Sequence, residues 1–264
     1  EWKWDGIRAQ LVKRGGQAWL WSRGEELVSE RFPEVTQMGE ALPDGTVLDG
    51  EVVIWRNDRV QPFAELQKRI GRKSVSARLM RDLPAVLLAY DILEWQGQDV
   101  RGRPQAQRRE LLDDVVTQLQ HPALIASPML TGHSWADLAR QRGQARELGV
   151  EGLMLKQRDA AYGVGRTKES GVWWKWKIDP MSVDAVLVYA QRGHGRRASL
   201  YSDYTFAVWD APPDAPERKL VPFAKAYSGL SDEEMARVDA LIRRTTVESF
   251  GPVRSVTPTM VFEL

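Results

Sequence analysis

The sequence predicts an α+β protein of two domains, residues 1–180 and 181–264. Three observations lead there. Short apolar strands alternate with turns and helices through the first 180 residues, a composition break follows Asp179-Pro180, and the last stretch sets two-residue alternation around a single helix. A chain of 264 residues suits two domains of ordinary size, and 43% apolar with 28% charged residues is the balance of a chain with a sizeable core.

Residues 7–12 and 18–21 flank Gly15-Gly16, the pattern of a hairpin. Residues 46–55 are a further strand candidate, and residues 85–93 form an almost continuous apolar run containing Tyr90-Asp91. Pro104 starts a helix with Leu111, Leu112, Val115, Val116 and Leu119 on one stripe. Ser134 caps a second helix reaching Leu148, with Trp135 and Leu138 expected to face inward. Beyond the break, residues 185–190, 204–209 and 260–263 read as strands, and Ser231-Asp232-Glu233-Glu234 is a capping box opening a helix to about Arg244. Strands plus one helix in so short a stretch suggest a small β-barrel, with the OB-fold as the natural candidate. The run Pro212-Pro213-Asp214-Ala215-Pro216 reads as a surface loop.

Composition narrows the function. There is no cysteine, which excludes disulfide scaffolds and thiolate zinc sites, and His121, His133 and His194 are too scattered to form a site. No apolar run approaches a membrane span and no signal-peptide pattern opens the chain, so a cytoplasmic protein is expected. The formal charge of +1 means that any nucleic-acid surface has to come from local clusters of Lys and Arg. The chain enters a motif at Glu1 and stops in a strand-like run at Leu264, as a piece of a longer protein would.

Five constellations carry chemistry. Glu1-Trp2-Lys3-Trp4-Asp5-Gly6-Ile7-Arg8 places a lysine before a sharp Asp-Gly turn that lets backbone approach a phosphate. A nucleophilic lysine has to be neutral, which needs burial or nearby positive charge. Leu48-Asp49-Gly50-Glu51 puts a carboxylate in an otherwise apolar strand, a costly position unless it meets a ligand or partner. Tyr90-Asp91 offers an aromatic face that could stack on a base. In Glu151-Gly152-Leu153-Met154-Leu155-Lys156, a spacing of five puts carboxylate and lysine on opposite faces unless Gly152 kinks the strand. In Trp173-Trp174-Lys175-Trp176-Lys177, strand alternation sets Lys175 and Lys177 on one face with Trp173, and paired lysines call for an anion between them. Taken singly, these motifs also fit a surface turn, a paired strand-edge glutamate, a core tyrosine or a solvated strand.

In this order, Lys-x-Asp-Gly, Asp-Gly-Glu, aromatic-Asp, Glu-Gly-x-x-x-Lys and Lys-x-Lys resemble the covalent nucleotidyltransferase superfamily, and within it the ATP-dependent DNA ligases, over nearly the whole chain. Residues 201–209 and 192–197 look like a bacterial, helicase-associated subgroup of these ligases. The resemblance implies an ATP-grasp-like adenylation domain of antiparallel sheets with flanking helices, followed by an OB-fold barrel. It implies that Lys3 attacks the α-phosphate of ATP, holds AMP, and hands it to the 5′-phosphate of nicked double-stranded DNA. On it, Glu1 reads the adenine edge, Arg8 lies by the ribose, Arg23 meets phosphate, Glu51 contacts ribose or metal, and Tyr90 stacks on adenine. Glu151 helps to place a divalent ion (Mg²⁺ or Mn²⁺), Lys156 assists at the phosphate, and Lys175 with Lys177 grips the α-phosphate. Such transfer needs charge neutralisation and positioning more than acid–base work. The resemblance further implies a monomeric, nucleoid-associated protein with a helicase or nuclease of the same pathway as partner. The basic motif with which such ligases usually finish, and their N-terminal DNA-binding domain, are expected outside these 264 residues.

For DNA contact the candidates are Lys68, Arg69, Arg72 and Lys73, in a basic stretch that continues through Arg78 and Arg81, and Arg192, Arg196 and Arg197 around two glycines. An RNA ligase or a capping-type guanylyltransferase would share the lysine chemistry. A non-catalytic OB module that binds nucleic acid would explain the basic loops and leave the nucleotide motifs unused.

Overall fold

A computed structural model describes residues 1–72, 74–163, 172–195, 198–227 and 229–264. Strands β1 (Ile7–Arg14) and β2 (Gln17–Ser22) form the expected hairpin, with Gly15 and Gly16 both at positive φ. There follow α1 (Pro33–Glu40), β3 (Thr46–Arg56), β4 (Arg59–Val60), α2 (Phe63–Ile70), α3 (Ala77–Asp82), β5 (Ala85–Trp95) and β6 (Gln98–Asp99). Then come α4 (Gln105–Leu119), β7 (Leu124–Ala126), α5 (Trp135–Gly143), β8 (Gly152–Lys156) and β9 (Trp173–Lys177). The main sheet runs β2-β1-β3-β5-β6 and is antiparallel, except that β7 lies parallel on β5; β8 and β9 form a separate antiparallel pair.

Strand β5 shows why an unbroken apolar run is needed. Its Ala85, Leu87 and Ala89 join the core under α1 and α4, while Val86 and Leu88 pack on the other face with Trp4, Val53 and Val150. A bulge in the β3–β5 ladder between Asp49 and Gly50 then slips the phase, so that Ile92, not Asp91, rejoins the first core. Asp91 instead meets α4, where fully buried Arg108 grips it through Nε and Nη2 at 2.8 and 2.9 Å. The expected inward face of α5 needs correction. The helix ends at Gly143 and Trp135 is 69% exposed, its ring edge-on to Trp176 at 5.9 Å, because so short a helix covers the β8–β9 pair rather than entering the core.

Backbone contacts divide the chain into two units, Glu1–Asp179 and Pro180–Leu264. In the second unit, β10 (Asp184–Arg192), β11 (Tyr201–Trp209), β12 (Leu220–Ala226), β13 (Thr246–Phe250), β14 (Val253–Val256) and β15 (Val261–Glu263) make one antiparallel sheet. Its order is β12-β11-β10-β14-β13, with β15 also on β10, an OB-type half-barrel. Helix α6 (Asp232–Thr245) buries Val238 and Ile242 against this sheet, and its Ser231–Glu234 capping box is present in both directions.

Candidate active site

The first residues of the chain act as a third strand beside β8. Lys3 N donates to Gly152 O at 2.8 Å, Glu151 N to Lys3 O at 2.8 Å, and Met154 N to Glu1 O at 2.8 Å. Extended backbone puts Glu1 and Lys3 on one side, while Trp2 and Trp4 pack on the other against the Val86–Leu88 face. Gly6 permits a close approach to β3: a Cβ there would stand 2.4 Å from Val52 O.

Glu1, Lys3, Arg8, Arg23, Glu51, Tyr90, Lys156 and Lys175 line one cleft of about 400 Å³. Glu151 and Lys177 border it through Lys3. Glu151 Oε2 accepts from Lys3 Nζ, and Glu151 Oε1 from Lys177 Nζ at 3.3 Å. Every adenylation-site residue expected from the sequence therefore falls in one neighbourhood. Gly152 explains how Glu151 and Lys156 can both serve it despite their spacing. Its φ of +130° is closed to side chains, and it turns the chain between Glu151, aimed at Lys3, and Lys156, aimed at Glu1.

The electrostatics separate the carboxylates. Burial raises the pKa of Glu51 to about 7, against the pull of Lys3 and Arg8 and with the help of Asp49 and Glu151. Glu151 goes the other way: burial would raise it, but the hydrogen bonds and charges of Lys3 and Lys177 hold it below the usual range. Burial, and then repulsion from Lys3, Arg23, Lys177 and Arg8, lowers Lys175. Burial also lowers Lys156, against the attraction of Glu1. Lys156, expected at the phosphate, stands with the residue expected at the base. Its Nζ is 2.8 Å from Glu1 Oε2 and lies over the rings of Tyr90 and Trp173, 4.6 and 4.3 Å from their centroids.

Several site residues were not singled out by the sequence. Fully buried Asp49 takes Arg8 Nη2 at 2.7 Å and the Tyr162 hydroxyl at 2.7 Å, and Tyr162 also accepts from Arg8 at 2.9 Å. Trp173 meets Tyr90 and Tyr162 edge-on at 5.9 and 5.8 Å, and its buried Nε1 has no hydrogen-bond partner among the described residues. Arg109 on α4 reaches Glu1. Asp49 belongs to the Asp-Gly-Glu motif and shares the face of Glu51 by the two-residue period, although the motif alone assigns it no role of its own. Trp173 opens the alternating aromatic–lysine strand, whereas Tyr162 and Arg109 come from distant segments with no pattern to mark them.

The basic stretch divides. Arg72 is exposed, and exposed Lys68 pairs with Glu65 at 2.5 Å. Arg69 is corrected: it is fully buried, holds Glu34 bidentately, and donates to Leu83 O at 2.8 Å and Arg31 O at 2.7 Å, so it cannot meet DNA. It follows Leu66 by three residues on the buried side of α2. Arg192 is exposed beside the Tyr201 ring, and Lys73, Arg196 and Arg197 lie outside the described residues. Among the described residues no group of three or more potential ligands could hold a metal ion alone. Glu151 lies close enough to Glu51 to help raise it, both stand near Lys3, and their hard oxygens suit a magnesium-type ion that shares phosphate oxygens.

A cleft with a lysine, clustered cations and two carboxylates, built on antiparallel sheets and followed by an OB-type unit, defines the class of the covalent nucleotidyltransferases. The family model "ATP dependent DNA ligase domain" matches residues 1–177, and the chain belongs to that family. A "Probable DNA ligase" of Koribacter versatilis is 35% identical over 99% of this chain and 48% of its own length. A "DNA ligase" of Methanoculleus marisnigri is 31% identical over 100% of this chain and 46% of its own. The chain thus spans about half the length of the curated relatives it matches. The solved mycobacterial DNA ligase D complexed with ATP and MES superposes with a TM-score of 0.56 at 25% identity, covering all of this chain and 81% of that one. A Lig E DNA ligase shares the fold at a TM-score of 0.61 and 21% identity, over 89% of this chain and 79% of its own. No described helix is long and apolar enough to cross a membrane.

Proposed function

We propose that this chain attaches AMP to Lys3 from ATP, transfers it to the 5′-phosphate of a nick in double-stranded DNA, and closes the nick as the 3′-hydroxyl attacks that phosphate and displaces AMP. The observation that carries this reading is the convergence of Lys3 with Arg8, Arg23 and Lys175 in one cleft, with Glu151 on the lysine amine. In the first step a Lys3 nitrogen–phosphorus bond forms, the bond to pyrophosphate breaks, and the amine gives up a proton. Lys3 has to leave Glu151 and become neutral before it attacks. Lys175 and Lys177, on one face of β9, offset charge that grows on the α-phosphate, and Arg23 meets the outer phosphates.

At the other end Glu1 meets the base edge, Tyr90 and Trp173 supply aromatic surface, and Arg8 faces the ribose from its fixed seat on Asp49. Glu51 and Glu151 would hold a divalent ion, Mg²⁺ or Mn²⁺. Bound there, it would add charge neutralisation at the phosphates. Exposed Lys68, Arg72 and Arg192 are offered to the DNA backbone. A helicase or nuclease of the same pathway is the partner that the likeness implies.

The test is incubation with labelled ATP, and separately labelled GTP, followed by denaturing electrophoresis and mass spectrometry. A label from ATP on Lys3, absent from a folded Lys3→Ala variant, is the expected outcome. AMP on another lysine overturns the assignment, GTP labelling points to a guanylyltransferase, and no label from either leaves a binding module. Ligation of nicked DNA against nicked RNA then separates the two ligase classes.

A further inference from the structure

We infer that Arg109 sets the base preference of the nucleotide cleft, by fixing the Glu1 carboxylate so that it accepts from an amino group and repels a carbonyl. The inference rests on the nucleotide reading above and concerns a residue outside the cleft lining. Arg109 lies 108 residues from Glu1 and reaches it from α4, with Nη1 3.2 Å from Oε1. Lys156 holds the other oxygen at 2.8 Å. All three side chains are nearly inaccessible, at 9, 8 and 8% exposure for Arg109, Glu1 and Lys156.

A carboxylate held at one oxygen can pivot, whereas separate cations on its two oxygens fix its plane. Arg109 is itself fixed. Its Nε donates to both oxygens of Asp113 at 2.9 and 3.0 Å, one helical turn on, and the neighbouring Arg108–Asp91 pair ties the same helix to β5. Each Glu1 oxygen keeps a lone pair for the cleft, where Glu1 stands beside Tyr90 and Trp173. A purine with an exocyclic 6-amino group donates to that site. A 6-oxo purine sets an acceptor against it, and Lys156, a cation that could otherwise turn to the carbonyl, is committed to Glu1. Selectivity therefore comes from repulsion as well as attraction. Without Arg109, Glu1 pivots, and Lys156 is released to meet a carbonyl.

The experiment compares ATP and GTP as donors for the covalent adduct in the unaltered chain and in Arg109→Met, which keeps the apolar stem and removes the donors. The expected ratio of kcat/KM for ATP over GTP falls by about tenfold or more, the scale of a lost hydrogen bond to a charged group. The loss resides in the KM for ATP, while kcat at saturating ATP changes by less than about threefold, since Lys3 is untouched. Arg109→Lys restores part of the ratio, and Arg109→Met adds nothing further to it in a Glu1→Gln background. Should Arg109→Met fold poorly, Asp113→Asn loosens the arginine from an exposed site and lowers the ratio in the same direction. An unchanged ratio, equal losses for both nucleotides, or additive losses with Glu1→Gln would overturn the inference while leaving the ligase reading intact. Absence of any adduct in the unaltered chain overturns both.

Discussion

Replacing Glu51 by glutamine should make the first unit more stable at alkaline pH while removing its activity. Glu51 lies in mid-β3, opposite Arg8 on one side and Leu88 on the other, with its carboxyl shifted by burial from 4.5 to about 7. At about 1.4 kcal/mol per pH unit, that interval corresponds to about 3 kcal/mol. Between pH 4.5 and 7 the folded chain keeps a proton that the unfolded chain has lost, so this group's contribution to stability falls as pH rises through the window and levels off above it. Glutamine has no such proton to lose. The stability of Glu51→Gln relative to the unaltered chain should therefore improve by about 3 kcal/mol between pH 4 and pH 8. Urea denaturation in EDTA buffer, followed by tryptophan fluorescence, measures it. Of the 11 tryptophans only Trp209 lies in the second unit, so the signal reports the first. Titrating groups remote from Glu51 are common to both chains and cancel in the comparison. The same stability difference at both pH values would refute the reasoning.

Lys175→Ala should lower kcat for adduct formation by about 100-fold or more, with a smaller change in KM, because its charge acts on the α-phosphate as the bond to pyrophosphate breaks; equal affinity loss at unchanged rate would refute that role. Gly152→Ala should destabilise the β8–β9 pair and abolish adduct formation, since a Cβ would stand 2.3 Å from Trp176 O at a φ of +130°; wild-type labelling rates would show that the turn does not aim Glu151. Arg69→Met should cost about 3 kcal/mol in urea denaturation by leaving Glu34 without its buried partner, and leave DNA affinity unchanged under conditions where the chain is folded. Arg72→Ala should do the reverse, keeping stability and reducing the salt dependence of DNA binding by about one counterion.

The cleft was legible in the sequence because its motifs are local, each a few residues at strand spacing. The Lys175 and Lys177 face of β9 and the hairpin at Gly15-Gly16 follow from period and turn chemistry alone. What could not be read was which distant side chains complete the site. Asp49 stands in the Asp-Gly-Glu motif, but its role shows only where Arg8 and Tyr162 close on it from 41 and 113 residues away. Arg69 illustrates the opposite error. The sequence offers the basic run as one set of DNA contacts, whereas the helical period carries one of its members inward, where Glu34 meets it from a separate helix. Charge alone therefore located the basic surface but not its membership. The phase slip on β5 was equally hidden, since an apolar run gives no sign of the bulge that leaves Tyr90 on the cleft and sends Asp91 to Arg108.

The cleft has two electrostatically different ends, and on the proposed reading they set how a nucleotide enters it. At one end Glu1 is paired with Arg109 and Lys156, all three nearly inaccessible, so that end carries paired charge and aromatic walls. At the other end cations exceed carboxylates: Lys175 is lowered by burial and then by four positive neighbours, Lys3, Arg23, Lys177 and Arg8. Such an excess is costly in the empty cleft and favourable once a polyanion enters, because each repulsion between cations is then offset by attraction to a shared phosphate. On the proposed reading the triphosphate would lie beside Lys175 and Arg23 and the base beside Glu1. Lys3, two residues from Glu1 on the same side of the leading strand, would then stand level with the α-phosphate, where that reading needs a nucleophile. Its ion pair with Glu151 would hold the amine there until the phosphate arrives.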